Sequence, residues 1–382
     1  MKRKAIAWLI PFLSLPHIHA QNSWEAKLLP GFLVPHHADM AEMMKHTAGI
    51  EIGRQWRIDS AGTAAIRQHH PLAGIGFTYF QLGSDIAGKA LALNLFYEAG
   101  IPVGKNSSFR ARLSTGAGYL SAQFHPFNNP KNGAIGSNIN GYMQLLTYMA
   151  SPIGRHTTLT YGLGMSHFSN GNWGQPNLGV NLPSLALGLQ FNDHNTHYLP
   201  LRHNRGNHII WEFSLRAGKR QMSIDDPRNI ANYMIETVWN YPHNQIRNWR
   251  GGLNIYYDRT YLFEKFQPIP KGRPDQVVEV ALTGGHEYRI NRVGFITDMG
   301  FYLYRPDRSK RMYYEAVGIK YYLNDQLMVM TRLKAHLSSA DYFEWGITYA
   351  LHGKKYSKPG FGNALRWQLS GFKPIEAEHL NF

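Results

Sequence analysis

Apolar and polar side chains alternate along most of this chain with a period of two, as a β-strand turns successive residues to opposite faces. Ile209, Trp211, Phe213, Leu215 and Ala217 alternate with Glu212, Ser214, Arg216 and Gly218. Leu327, Val329, Thr331, Leu333 and Ala335 alternate with Met328, Met330, Arg332, Lys334 and His336. Phe343, Trp345, Ile347, Tyr349 and Leu351 do so with Glu344, Gly346 and Thr348. Read this way, the chain predicts strands over 28–34, 47–57, 72–82, 88–100, 109–122, 138–150, 156–169, 179–192, 208–219, 231–240, 247–258, 276–287, 292–304, 311–323, 327–337 and 342–351, with 363–372 as a further candidate.

Many of these segments reach ten residues or more, where strands of soluble sheets average about five or six. Their polar rows carry Arg, Lys and Glu in mid-strand, which the core of a sandwich would not accept. Apolar outside and charged inside is the pattern of an all-β, antiparallel transmembrane β-barrel, here of about 14–16 strands. Trp56, Tyr119, Trp239, Trp249, Tyr304 and Tyr321 fall near segment ends, where aromatic girdles sit. Tight turns are expected at 151–155, 289–291 and 324–326, and longer loops at 124–137, 259–275 and 305–310. Short turns face the periplasm in such barrels. That parity sends the 156–169 strand toward the outer leaflet, and it leaves the long connection at 193–207 on the short-turn side, against the pattern. With no linker in evidence, residues 21–382 read as a single barrel.

Composition adds the compartment. Lys2, Arg3 and Lys4 precede an apolar run from Ala5 to Leu15, and Ile18-His19-Ala20 offers a cleavage site, so residues 1–20 read as a secretory signal peptide. Cysteine is absent, in keeping with an oxidising export route. The formal charge is +15, and removing residues 1–20 takes three positive charges and no acid, leaving +12. This balance implies anionic partners, and for an exported chain it points to an anionic lipid surface or acidic glycolipids rather than nucleic acid.

One strand ends in chemistry. Leu159, Tyr161, Leu163, Met165, His167 and Ser169 share a face, so an apolar row closes on an imidazole and a hydroxyl about 7 Å apart. Polar groups on a lipid-facing row mark either the membrane boundary or a site. Imidazole can take the proton that keeps a serine hydroxyl from being a nucleophile. Donors for an oxyanion follow in the Asn170 side chain and the Gly171 N–H. Folding the hairpin about Gln175 sets Ser169 opposite Asn181.

The His167-Phe168-Ser169-Asn170 motif at a strand end resembles the lipid A 3-O-deacylases, outer-membrane barrels that hydrolyse an acyl ester of lipopolysaccharide. The likeness covers residues 28–192, close to the span of that family's eight-stranded barrel. It implies His167 as base, Ser169 as nucleophile, and Asn170 with Gly171 as oxyanion hole, with no cofactor and no metal. Where the family places a glutamate on the next strand, this chain has Asn181, and residues 157–192 contain no acid. Residues 193–372 resemble the enlarged barrels of acyloxyacyl-hydrolase-type proteins and are expected to add strands to the same barrel. Lipid A is the implied substrate, and a homodimer is compatible with the chain. The alternative is a non-catalytic barrel, a porin-like channel or a scaffold, that keeps the motif as a relic.

Other features have plainer readings. His36-His37 and His69-His70 suggest metal ligands, but neighbours on a strand point opposite ways. Gly251-Gly252 and Gly284-Gly285 read as kinks or bulges. Arg110, Arg112, Arg216, Arg250, Arg332 and Lys334 either line an anion channel or pair with acids such as Glu212, Glu344 and Asp298.

Overall fold

The computed structural model describes residues 22–59, 71–192, 199–200, 209–243, 246–263, 276–307, 311–337 and 339–352. The signal peptide, His69-His70, the 363–372 segment and Phe382 lie outside them. The first half holds β1 (Asn22–Leu28), β2 (Gly31–Phe32), β3 (His46–Asp59), β4 (Leu72–Gln81), β5 (Lys89–Val103), β6 (Ser107–Leu120), β7 (Ile139–Pro152), β8 (Thr157–Ser169) and β9 (Val180–Asn192). After the two-residue β10 (Leu199–Pro200) come β11 (Ile210–Ser223), β12 (Asp226–Pro242), β13 (Arg247–Tyr257), β14 (Val278–Ile290), β15 (Val293–Tyr304), β16 (Tyr313–Tyr322), β17 (Leu327–His336) and β18 (Ser339–His352). The period-two segments are thus strands, and the first begins at Asn22, earlier than the expected 28–34.

The all-β, antiparallel barrel architecture is as the alternation predicts, but the strands do not join one barrel. β1 and β2 form one interrupted strand, and the sheet through β9 closes as β1 pairs with β9 and β3 with β4. β11 to β18 close separately, β11 pairing β18 from Ile210↔His352 to Gly218↔Glu344. Eight strands therefore build each barrel. Alternation fixes which face a residue takes but not which distant strand closes a sheet. The segment between β9 and β11, anomalous for one barrel, is the connection between two.

Both outer walls are apolar: Leu163 is 62 % exposed and Leu215 59 %. No helix among the described residues is long and apolar enough to cross a membrane; the strands, whose backbone groups pair around closed sheets, are what can. Trp239, Trp249 and Tyr304 stand exposed near strand ends, at girdle positions.

Both lumens are filled with ion pairs. Arg112 lies among Glu25, Glu51 and Glu98 with no exposed surface. In the second barrel Arg216 and Arg332 share Glu236 and Glu344, Arg250 reaches Glu212 and Asp298, and Lys320 reaches Glu212 and Glu287. The basic rows are structural rather than a channel lining. Gly251-Gly252 and Gly284-Gly285 run through the β13–β14 ladder without a bulge. A Cβ at Gly251 would lie 2.4 Å from the Trp239 ring, so that glycine makes room for an indole.

Candidate active site

β8 carries the motif between β7 and β9, with Gly141↔Ser169 on one side and His167↔Asn181 on the other. Its inward row buries Ser166 and Phe168, whose ring packs 4.9 Å from that of Tyr142. Its outward row runs through exposed Leu163 and Met165 to half-buried His167 and to Ser169, which is only 5 % exposed. This end of the barrel is plugged by Leu33, Met40, Met43, Ala134 and Ile135, all buried against Leu29 and Phe168. Met40 and Met43 belong to a 3-10 turn, Ala38–Met43.

The register places Asn181 opposite His167, not opposite Ser169 as a hairpin folded about Gln175 requires. The hairpin turns one residue earlier, which moves the facing partner by two positions. His167 Nδ1 lies 2.7 Å from Asn181 Oδ1. Behind the amide, Asn181 Nδ2 lies 3.2 Å from His36 Nδ1, and His36 Nε2 lies 2.9 Å from the Leu178 carbonyl oxygen. Gly179, at φ +83°, passes against the imidazole edge, where a Cβ would fall 2.6 Å from His167 Cε1.

Ser169 does not hydrogen-bond to His167. Its hydroxyl donates to Asn177 Oδ1 at 3.2 Å, and the same oxygen takes the Asn170 N–H at 2.9 Å. The Gly171 N–H points at Ser169 Oγ from 3.4 Å. Asn170 is wholly buried, and its side-chain amide donates to the Gly174 carbonyl at 2.6 Å. It braces the loop rather than facing the serine, so the backbone N–H of Gly171 is the donor aimed toward the hydroxyl. Gly171 and Asn172 take left-handed backbone, φ +58° and +60°.

That loop is docked on the second barrel. The Asn172 side-chain amide donates to the carbonyls of Ala340 and Asp341, the Gln221 N–H donates to the Asn172 carbonyl at 2.7 Å, and the Gln175 N–H donates to Gln221 Oε1 at 3.0 Å. Phe343, on the outer row of β18, lies over Gly141 and Gly171 on either side of Ser169. A Cβ at either glycine would meet its ring at 2.5 Å. Trp173 packs on the same ring at 5.6 Å. The second barrel thus covers the serine that the first one carries.

The sequence reading brought together His167, Ser169, Gly171 and Asn181. It did not place Asn177, Gly179 or Phe343 in the site, and it weighed His36 only as a metal ligand. Gly179 carried a signal, a glycine where the loop re-enters a strand. The other three reach the site by tertiary contacts that no spacing announces. Among the described residues no cluster of three His, Asp or Glu could hold a metal ion.

Comparison with known proteins gives one family match and matches to solved structures. A search of curated proteins gives no match. Among solved structures, the outer membrane enzyme PagL matches at 15 % identity over 44 % of this chain and 98 % of its own, with a TM-score of 0.31. Neisserial surface protein A matches at 10 % identity over 44 % and 96 %, also at 0.31. Residues 209–353, which span the second barrel, match the family described as acyloxyacyl hydrolase, C-terminal domain.

Proposed function

We propose that the protein is an outer-membrane serine esterase of Gram-negative bacteria that removes an ester-linked acyl chain from lipid A. Ser169 is the nucleophile and His167 the base. The observation that carries the reading is the outward row of β8. A histidine held by a hydrogen bond to Asn181, and a serine beside a loop N–H, end a lipid-facing wall. There they meet a substrate that never leaves the membrane. The match of the second barrel to an acyloxyacyl hydrolase domain supports the same chemistry.

In the reaction the Ser169 hydroxyl turns from Asn177 toward His167 and attacks the ester carbonyl as its proton passes to Nε2. The Gly171 N–H stabilises the oxyanion. Collapse expels the sugar hydroxyl, which takes the proton back from His167. Water, deprotonated by the same imidazole, then releases the fatty acid and restores the serine. Phe343 and Trp173 give the acyl chain an apolar wall beside the hydroxyl. Asn181 orients the imidazole but carries no charge to offset the imidazolium, so turnover is slower than a carboxylate would allow.

The test is to express the protein and Ser169→Ala in a lipopolysaccharide-bearing host and weigh the lipid A by mass spectrometry. Loss of one acyl mass with wild type and none with Ser169→Ala is expected. Unchanged lipid A with both proteins would overturn the reading in favour of a scaffold.

A further inference from the structure

Asn181 raises a problem that a carboxylate does not. A carboxylate presents oxygen whichever way it turns, whereas a carboxamide presents oxygen on one side and NH₂ on the other. Turned the wrong way, Asn181 would donate to His167 Nδ1. The ring proton would then sit on Nε2, and no base would face Ser169. Something must hold the amide in the other sense.

The hydrogen-bond chain does so from its far end. The Leu178 carbonyl can only accept, so His36 Nε2, 2.9 Å away, carries a proton. With the His36 ring neutral, its Nδ1 is bare and takes a hydrogen bond from Asn181 Nδ2 at 3.2 Å. This turns Asn181 Oδ1 toward His167, whose Nδ1 donates to it at 2.7 Å. The unprotonated nitrogen of His167 is therefore Nε2, which has no other hydrogen-bond partner among the described residues. For a neutral His36 ring each direction follows from the one before, starting at a carbonyl that can only accept.

We propose that His36 is a positioning residue of this site: through Asn181 it holds His167 in the tautomer with its proton on Nδ1 and Nε2 free for the serine. Its catalytic consequence rests on the serine-esterase reading; its effect on the tautomer does not. His36 touches no reacting atom. It is exposed, on the loop between β2 and the 3-10 turn, so truncating it leaves the barrel wall intact.

The test uses the full chain in detergent micelles. His36→Ala is expected to lower kcat about tenfold or more with little change in KM, as loss of an orienting outer partner does. In an Asn181→Glu background there is no amide left to orient, and the same substitution is expected to cost no more than about twofold, a non-additivity that marks two residues acting through one contact. Histidine ¹⁵N shifts should show His167 protonated at Nδ1 in the wild type and divided between tautomers in His36→Ala. Equal losses in both backgrounds, or an unchanged His167 tautomer, would overturn the proposal. Should no Ser169-dependent activity exist, the esterase reading fails, and the ¹⁵N spectra still decide the role of His36.

Discussion

At the scale of single residues, the proposed site is a serine, an imidazole and an amide whose positions are set by close neighbours. On the esterase reading, Asn181→Glu supplies a charge that offsets the imidazolium and should raise kcat at least about tenfold, since replacing such a carboxylate by an amide costs a serine protease far more. Acyl release measured over time checks this; a fall would show that the second carboxylate oxygen is not tolerated beside His36. Gly179→Ala forces a Cβ at φ +83° to within 2.6 Å of His167 Cε1. The ring must move, and kcat should fall about a hundredfold, the usual cost of misplacing a reacting group by an ångström. Much of this site was legible in the sequence because it lies on one strand and its neighbour. A period of two put His167 and Ser169 on one face, and adjacency brought Asn181 near. What it could not give was the register, which depends on where a ten-residue loop turns. Nor could it give His36, which reaches Asn181 across 145 positions of chain.

At the scale of the strand, face is everything. Leu163, mid-strand on the outer row of β8, is 62 % exposed. Leu163→Arg should cost about 2–4 kcal/mol in unfolding from lipid vesicles, because a guanidinium near mid-bilayer has no partner. The opposite face answers to another rule. Arg112→Ala removes the guanidinium that Glu25, Glu51 and Glu98 share, leaving Lys27 beside Glu25 and Arg110 beside Glu98, and should cost about 3–5 kcal/mol, as breaking a buried charge cluster does, measured as a lower urea midpoint for the folded band on cold gels. Strands were the most legible part of the chain. Side-chain alternation is imposed by the pleat itself, and lipid outside with ion pairs inside leaves little freedom at any position.

At the scale of the whole molecule, two sealed barrels stand where the alternation suggested one wide barrel. With Arg216, Arg250, Arg332 and Lys320 all paired across the second lumen and Arg112 across the first, planar bilayers holding the protein should show no conductance above background. A steady ion current would mean that these plugs open. The division was not legible because closure is a contact between strands far apart in sequence, β1 with β9 and β11 with β18. Only the misplaced length at 193–207 hinted at it, since a long connection on the short-turn side is what joining two finished barrels requires.

The docking of the Asn172 loop on Gln221, Ala340 and Asp341, under Phe343, has a consequence for genetics. On the esterase reading, a selection for variants that reach the membrane in normal amount yet leave lipid A intact should not map to the first barrel alone. It should also return changes such as Phe343→Ala in the barrel that does not carry Ser169, and these should look like active-site lesions. In genetic terms the two barrels then behave as one unit, a lesion in either giving the same phenotype.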